Sequence, residues 1–175
     1  MAGGATPQEI VIRNAFPSET EEVIEVGVSA YHEYSYMMPD DSWIDYEANI
    51  RDARSRFQES ELIVAELSNN LVGAVTFFPA AVGRVSVVWP DDWAGIRLVA
   101  VRPENRRSGI GRMLVEECIQ RSRAHDASAV GLHTTPLMQL ATEMYKKIGF
   151  VRVPEYDFKP RCNFTVTAYK FPLDC

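Results

Sequence analysis

Residues 96–119 read IRLVAVRPENRRSGIGRMLVEECI, and the rest of the chain is organised around them. Ile96, Leu98, Val99, Ala100 and Val101 form a short, almost continuous apolar run, the mark of a strand covered on both faces. Pro103 has no N–H to give a ladder, so the strand is expected to stop near Arg102. From Ile110 the apolar positions 110, 113, 114, 115, 118 and 119 follow helical spacing. Between strand and helix lies Arg106-Arg107-Ser108-Gly109-Ile110-Gly111-Arg112. Its two glycines let the backbone turn sharply and let a ligand approach the main chain. A helix's first turn carries unpaired N–H groups and the positive end of the macrodipole, so it suits an anion, most often a phosphate. Arginines 102, 106, 107 and 112 against the single Glu104 strengthen this reading, because guanidinium forks match phosphate oxygens.

The spacing narrows the ligand. Leu114 stands where a dinucleotide fingerprint needs its third glycine, and no Gly-Lys-Ser/Thr follows for a Walker A loop. The pattern Arg106-x-x-Gly109-x-Gly111, preceded by Leu98-Val99-Ala100-Val101-Arg102-Pro103, resembles the acyl-coenzyme A motif of the GNAT N-acetyltransferases. A second segment, Ala141-Thr142-Glu143-Met144-Tyr145-Lys146-Lys147-Ile148-Gly149-Phe150, is similar to that family's A-x-x-L-Y-x-x-x-G-F motif. The resemblance implies an acetyl-coenzyme A-dependent N-acetyltransferase. Val99, Ala100 and Val101 would pair with the pantetheine arm between splayed central strands, and residues Arg106, Arg107, Ser108, Gly109, Ile110, Gly111 and Arg112 would hold the pyrophosphate. Tyr145 would be the general acid that protonates the departing thiolate, a role open to a hydroxyl of pKa about 10. From spacing alone, a buried tyrosine bonded to backbone is the favoured reading of Tyr145, and the acid role comes from the resemblance. One position departs from the family: an asparagine common three residues before the alanine of the second helix is here Met138.

Composition sets outer bounds. A chain of 175 residues, 46% hydrophobic, suits one domain with a core of its own. A net charge of −6 argues against nucleic acid as the main partner and leaves the arginine cluster as a local exception suited to one small anion. The three cysteines, 118, 162 and 175, form no C-x-x-C pair, so neither a disulfide framework nor a metal site is expected, and Cys118 falls on the apolar stripe of its helix. No basic and apolar leader opens the sequence, and no apolar run reaches the roughly 20 residues of a membrane span, so a cytoplasmic protein without membrane contact is expected.

Taken in order, residues 1–8 are expected to be a disordered N-terminus and residues 9–175 a single domain. Glu9 to Phe16 reads as a strand, and Ser18 as the cap of a helix running towards Tyr34. Tyr31 to Trp43 is aromatic and Met-rich, and Ser42 is expected to cap a helix from Trp43 to about Phe57. Glu61 to Leu67 and Leu71 to Phe78 form a hairpin around Asn69-Asn70, and Val85 to Trp89 can extend a strand. After the central helix come a strand at Ala127 to Thr134 and a helix whose apolar positions 137, 140, 141, 144, 145 and 148 lie on one face, with Gly149 as its cap. Phe150 to Phe158 and Asn163 to Phe171 read as two last strands. The order β-α-α-β-β-β-α-β-α-β-β is a mixed α/β fold with a mostly antiparallel sheet and one parallel crossover, and it resembles the GNAT fold over roughly residues 9 to 171.

The acceptor is far less marked than the donor. A small-molecule or peptide amine is expected, and residues 31–47, 79–93 and 155–163 would select it. Tyr34, Trp43, Trp93 and His133 are the candidate contacts there. Glu33, Asp40, Asp41, Asp91, Asp92, Glu155, Asp157 and His133 are all open as the general base. An acyl-coenzyme A sensor without turnover, or transfer to a hydroxyl or hydrazine, would also fit the donor loop. A monomer and a homodimer fit equally well.

Overall fold

A computed structural model describes residues 9–79, 89–160 and 164–173. The expected disordered segment 1–8, the expected strand at Val85 to Val88, Asn163, Cys162 and Cys175 lie outside the described residues. One sheet of seven strands organises the fold in the order β1-β2-β3-β4-β5-β7-β6. The strands are β1 (Ile10–Asn14), β2 (Glu61–Leu67), β3 (Asn70–Phe78), β4 (Trp93–Val101), β5 (Ala129–Thr134), β6 (Val151–Arg152) and β7 (Thr167–Pro172). The helices are α1 (Thr20–Tyr31), α2 (Asp40–Arg51), α3 (Ala53–Glu59), α4 (Ile110–Ala124) and α5 (Gln139–Ile148). Only β4 and β5 pair in parallel, across the α4 crossover, as expected from the strand-loop-helix order; every other neighbouring pair is antiparallel.

Alternation along the strands sends side chains to two layers. Ile63 and Ala65 join α4, Tyr145 and Phe150 in one apolar cluster. Leu62 and Val64 join α1, Ile50 and Ala53 in the other. Cys118 is fully buried on α4, as its place on the apolar stripe implied. Two close approaches need glycine. A Cβ on Gly73 of β3 would stand 2.8 Å from Ile110 Cγ2 at the start of α4, and one on Gly27 of α1 would stand 2.7 Å from Ile50 Cγ2.

Several local expectations are corrected. Ser18 caps nothing; residues Pro17–Glu19 form a 3-10 turn, and the Glu19 carboxylate accepts the Phe16 N–H at 2.7 Å. Helix α1 stops at Tyr31 rather than Tyr34, because His32–Met37 tighten into a 3-10 segment. Ser42 lies inside α2, whose start is set by Pro39: its carbonyl accepts the Trp43 N–H at 3.0 Å. The single helix expected to Phe57 is two, broken at Asp52, and Arg56 covers the freed carbonyls of Asn49 and Ile50 at 2.5 and 2.8 Å. The hairpin turn sits one residue earlier than expected, at Ser68 and Asn69, both with positive φ (52° and 62°), the geometry of a tight two-residue turn. Strand β4 begins at Trp93 rather than Ile96, since Trp93–Ile96 pair with Ala129–Leu132. The strand expected over Phe150 to Phe158 shrinks to Val151–Arg152, because Pro154 opens a 3-10 turn and only a single bridge, Phe158 to Val166, follows.

Gly73→Ala is expected to lower stability by about 1–3 kcal/mol, since its methyl must push Ile110 and the start of α4 away from β3. Urea unfolding followed by circular dichroism measures it; a midpoint equal to the parent's would contradict the packing described.

Candidate functional site

The site forms where the middle of the sheet opens. Strand β4 pairs with β5 only as far as Ile96 opposite Leu132. Beyond that point β5 stays with β7, through His133 opposite Ala168 and Thr134 opposite Thr167. Strand β4 stays with β3, through Ala74 opposite Ala100 and Gly73 opposite Val101. A bulge marks the parting: Thr76 faces Arg97 and Ala74 faces Ala100, so β4 carries one residue more than β3 there. Leu98 takes it up with φ 52°, a left-handed conformation rare for leucine. Arg102 N–H donates to Val72 O at 2.9 Å. By the alternation of an antiparallel ladder, Ala100 also faces β3, while Val99 and Val101 turn their main-chain groups to the open edge. The Tyr31 hydroxyl reaches that edge from α1 and donates to Val99 O at 2.8 Å.

Two cavities meet at this opening. The larger, about 1140 Å³, is lined by Val99, Val101, Arg106, Arg107, residues 109–112, Tyr34 and Tyr145. Gly109 begins α4 with φ 84°, a turn that glycine makes without strain. The first bond of the helix runs from Met113 N–H to Gly109 O at 3.0 Å. The N–H groups of Ile110, Gly111 and Arg112 are therefore without helical partners, and all three residues line the cavity. Not every arginine expected at an anion is free to reach one. Arg102 donates to Leu71 O at 2.8 Å. Arg106 donates to Ala30 O at 2.7 Å and pairs with Glu33 at 2.8 Å, so it clamps the loop to the end of α1. Arg112 pairs with Glu116 on its own helix. Arg107 has no ion-pair partner among the described residues, and its φ of 62° helps turn the loop. Ser108 bonds the Asn105 carbonyl, and neither it nor Ala100, whose methyl is buried against the α1 layer, lines the cavity.

Tyr145 is on the inward face of α5, 6% exposed, with its ring 5.8 Å from that of Phe150. Its hydroxyl makes no hydrogen bond among the described residues and is not among the fully enclosed polar atoms. Burial, reinforced by Tyr46 and Tyr34, holds its pKa above the ordinary phenol value, so the proton stays on.

The second cavity, about 820 Å³, lies on the other side of Leu98. Trp89, His133, Tyr156 and Phe158 form an aromatic wall. The Trp89 ring lies on Gly131, where a Cβ would come within 2.7 Å of it, and stacks on His133 with centroids 4.6 Å apart. His133 Nε2 is 2.9 Å from Tyr156 O. A carbonyl only accepts, so Nε2 carries the proton and Nδ1 is left as the basic atom. Burial pushes the His133 pKa below its ordinary value. His133, Ile96, Arg97, Leu98, Tyr46 and Met138 border both cavities.

The other candidate contacts are not brought together. Tyr34 is on the side of the anion loop. Trp43 packs on His32 and Tyr46, and Trp93 stacks behind Trp89 at 5.5 Å; neither lines either of these two cavities. Of the candidate bases, Glu155, Asp157 and His133 line the second cavity, though Asp157 is held by Arg152 at 2.8 Å. Glu33 is engaged by Arg106, and Asp92 by Ser128. Arg97 and Asn49 went unremarked as site residues in the sequence, since no motif marks them; they meet through the hydrogen bond from Arg97 Nη2 to Asn49 Oδ1. Among the described residues no cluster of three or more histidine, cysteine or acidic groups could hold a metal ion, and no helix is long and apolar enough to cross a membrane.

The sequence model described as the acetyltransferase (GNAT) family matches residues 27–150. No curated protein matches the chain in sequence. Among solved structures, a GNAT family acetyltransferase from Staphylococcus aureus superposes with TM-score 0.70 at 18% identity, over 95% of this chain and 100% of that one. A GNAT family acetyltransferase from Brucella melitensis, in complex with acetyl-CoA, gives 0.63 at 18% identity over 96% and 90%. PaiA N-acetyltransferase from Thermoplasma acidophilum, in complex with coenzyme A, gives 0.69 at 16% identity over 93% and 99%.

Because the fold favours neutral His133, its protonation is resisted in the native state and free in the unfolded one. That contribution is intact above the ordinary histidine pKa of about 6.5 and is lost as pH falls below it. The carboxyls of Glu19 and Asp157, held down by Arg13 and Arg152, lose their contribution only in the more acidic window below the ordinary carboxylate range. Melting temperatures of parent and His133→Gln between pH 8 and 5 are expected to show a shallower decline in the variant; parallel curves would refute it.

Proposed function

The chain belongs to the GNAT acetyltransferase family, and from that premise we propose that it moves an acetyl group from acetyl-coenzyme A to an amine. The observation that carries the reading is the pairing of free α4 N–H groups with an unpaired β4 edge in one cavity. The N–H groups of Ile110, Gly111 and Arg112, with the Arg107 guanidinium, suit a diphosphate. The main-chain groups of Val99 and Val101 suit the amides of a pantetheine arm, which would add to β4 as a short strand does. The donor site thus takes in Val99, Val101, Arg107, Gly109, Ile110, Gly111 and Arg112, with Arg106 and Ser108 shaping the loop and Ala100 holding β4 to β3. Residues 9–175 act as one catalytic domain, supported by a sheet that draws strands from both ends of the described chain. A cytoplasmic setting, as a monomer or homodimer, goes with the same reading.

The acceptor enters from the second cavity. Its neutral nitrogen attacks the thioester carbon, a C–N bond forms and the C–S bond breaks. The thiolate takes the Tyr145 proton, and the nitrogen gives up its own to water or to His133 Nδ1. The raised pKa of Tyr145 keeps the acid loaded throughout the neutral range, and the lowered pKa of His133 keeps the base free. An aromatic second cavity beside the donor site favours turnover over a sensing role.

Thiol release against an amine panel tests the reading, and no release with any amine would count against it. Tyr145→Phe is expected to reduce kcat by about a hundredfold, with little change in the KM for acetyl-coenzyme A. Equal rates at every pH would remove Tyr145 from the chemistry.

A further inference from the structure

We propose that the acceptor is an amino carboxylate, with its reacting amine only a few bonds from a carboxylate that Arg97 anchors. This rests on the acyl-transfer reading above and adds the class of molecule that receives the acetyl group. Arg97 is the residue of β4 just before the bulge, and it borders both cavities. Its guanidinium makes one hydrogen bond among the described residues, from Nη2 to the uncharged Asn49 Oδ1 at 3.2 Å. By contrast Arg13, Arg51, Arg106, Arg112, Arg121 and Arg152 each meet a carboxylate within 3 Å.

The surroundings make that corner more positive. Arg56 spends its two Nη groups on the carbonyls of Asn49 and Ile50, and its Nε is enclosed without a partner. Burial lowers the pKa of both arginines, that of Arg56 to about 10, and the charge of Arg97 adds to the lowering at Arg56. A half-buried cation without a counter-ion gains when a carboxylate accepts two parallel N–H bonds from its fork. Because Arg97 stands where the two cavities join, a carboxylate on its fork holds the neighbouring amine against the donor side. The remainder of the molecule would extend along Trp89, His133, Tyr156 and Phe158, which favours a flat or apolar side chain. Asp45 and Glu155 line the same cavity and have no ion-pair partner among the described residues, so they can draw in the ammonium end of a zwitterion.

The test uses α- and β-amino acids, each with its carboxamide and its decarboxylated amine, and reads kcat/KM for acetylation by the parent, Arg97→Gln and Arg97→Lys. The free acids are expected to be preferred over their amides by about tenfold to a hundredfold, the range for a charged hydrogen-bonded pair. That ratio collapses towards one in Arg97→Gln and is partly kept in Arg97→Lys. Calorimetry of N-acetyl amino acids and their amides, with coenzyme A present, checks the same preference without turnover. Equal use of acids and amides by the parent, or one uniform loss for all three acceptors in Arg97→Gln, overturns the inference and leaves acyl transfer standing. If Asp45→Asn raises the acid preference while Arg97→Gln abolishes it, Asp45 competes for Arg97 and the assignment of Arg97 holds. Failure to bind coenzyme A or to acetylate anything overturns the acyl-transfer reading, and the inference with it.

Discussion

The parting of β4 from β5 at Ile96 and Leu132 is the constraint from which the site follows. A central strand normally satisfies its N–H and C=O groups on both sides, because an unpaired buried peptide group costs free energy. Here β4 gives up one side over its last residues. The extra residue at Leu98 makes this possible: it rotates the chain by one position while β3 pairs with β4 on either side of it. A leucine at φ 52° is strained by about 1–3 kcal/mol, held by the pairing around it. The same step leaves the main-chain groups of Val99 and Val101 without a strand partner on one side, and it stands beside Arg97, which borders both cavities. The two cavities thus meet at a single irregularity.

The anion loop depends on main chain more than on its arginines. Arg102 and Arg106 serve carbonyls of β3 and α1, and Arg112 is shared with Glu116. Arg106 is well placed for this work, since Ala30 O belongs to the C-terminal turn of α1, where a cation is favoured by the helix dipole. The loop is therefore a rigid connector between α1 and α4 whose free donors are amides, and Gly73 seats that connector by letting Ile110 come down on β3. The second cavity is built differently, from rings. Trp89 rests on Gly131 and against His133, so its wall depends on a bare position in β5.

Motifs made of contiguous residues were readable in advance. The order from strand to proline to basic glycine turn to helix marked β4, the loop and α4, and the spacing from Ala141 to Phe150 marked α5, its Gly149 cap with φ 119° and the inward Tyr145. Local chemistry was less reliable wherever a backbone carbonyl or a distant side chain did the capping. Ser18 and Ser42 were outdone by Glu19 and by Pro39 O. A continuous helix through Asp52 was lost to a break whose carbonyls Arg56 covers, and a strand through Pro154 was lost to the proline itself, which opens a 3-10 turn.

By itself, then, the sequence determined the mixed α/β class, the position of the parallel crossover and the glycine turn that opens α4, because each is encoded within some twenty adjacent residues through periodicity, glycine and proline. Only the tertiary structure decided which side chains meet in the second cavity. Arg97, Asn49, Trp89, His133 and Tyr156 come from α2, β4, β5 and two connections, and they converge because one leucine in β4 takes a left-handed turn. Nothing in its neighbours' hydrophobicity announces that turn; it is set by how β3 pairs with β4 on either side of it, where β5 has already parted.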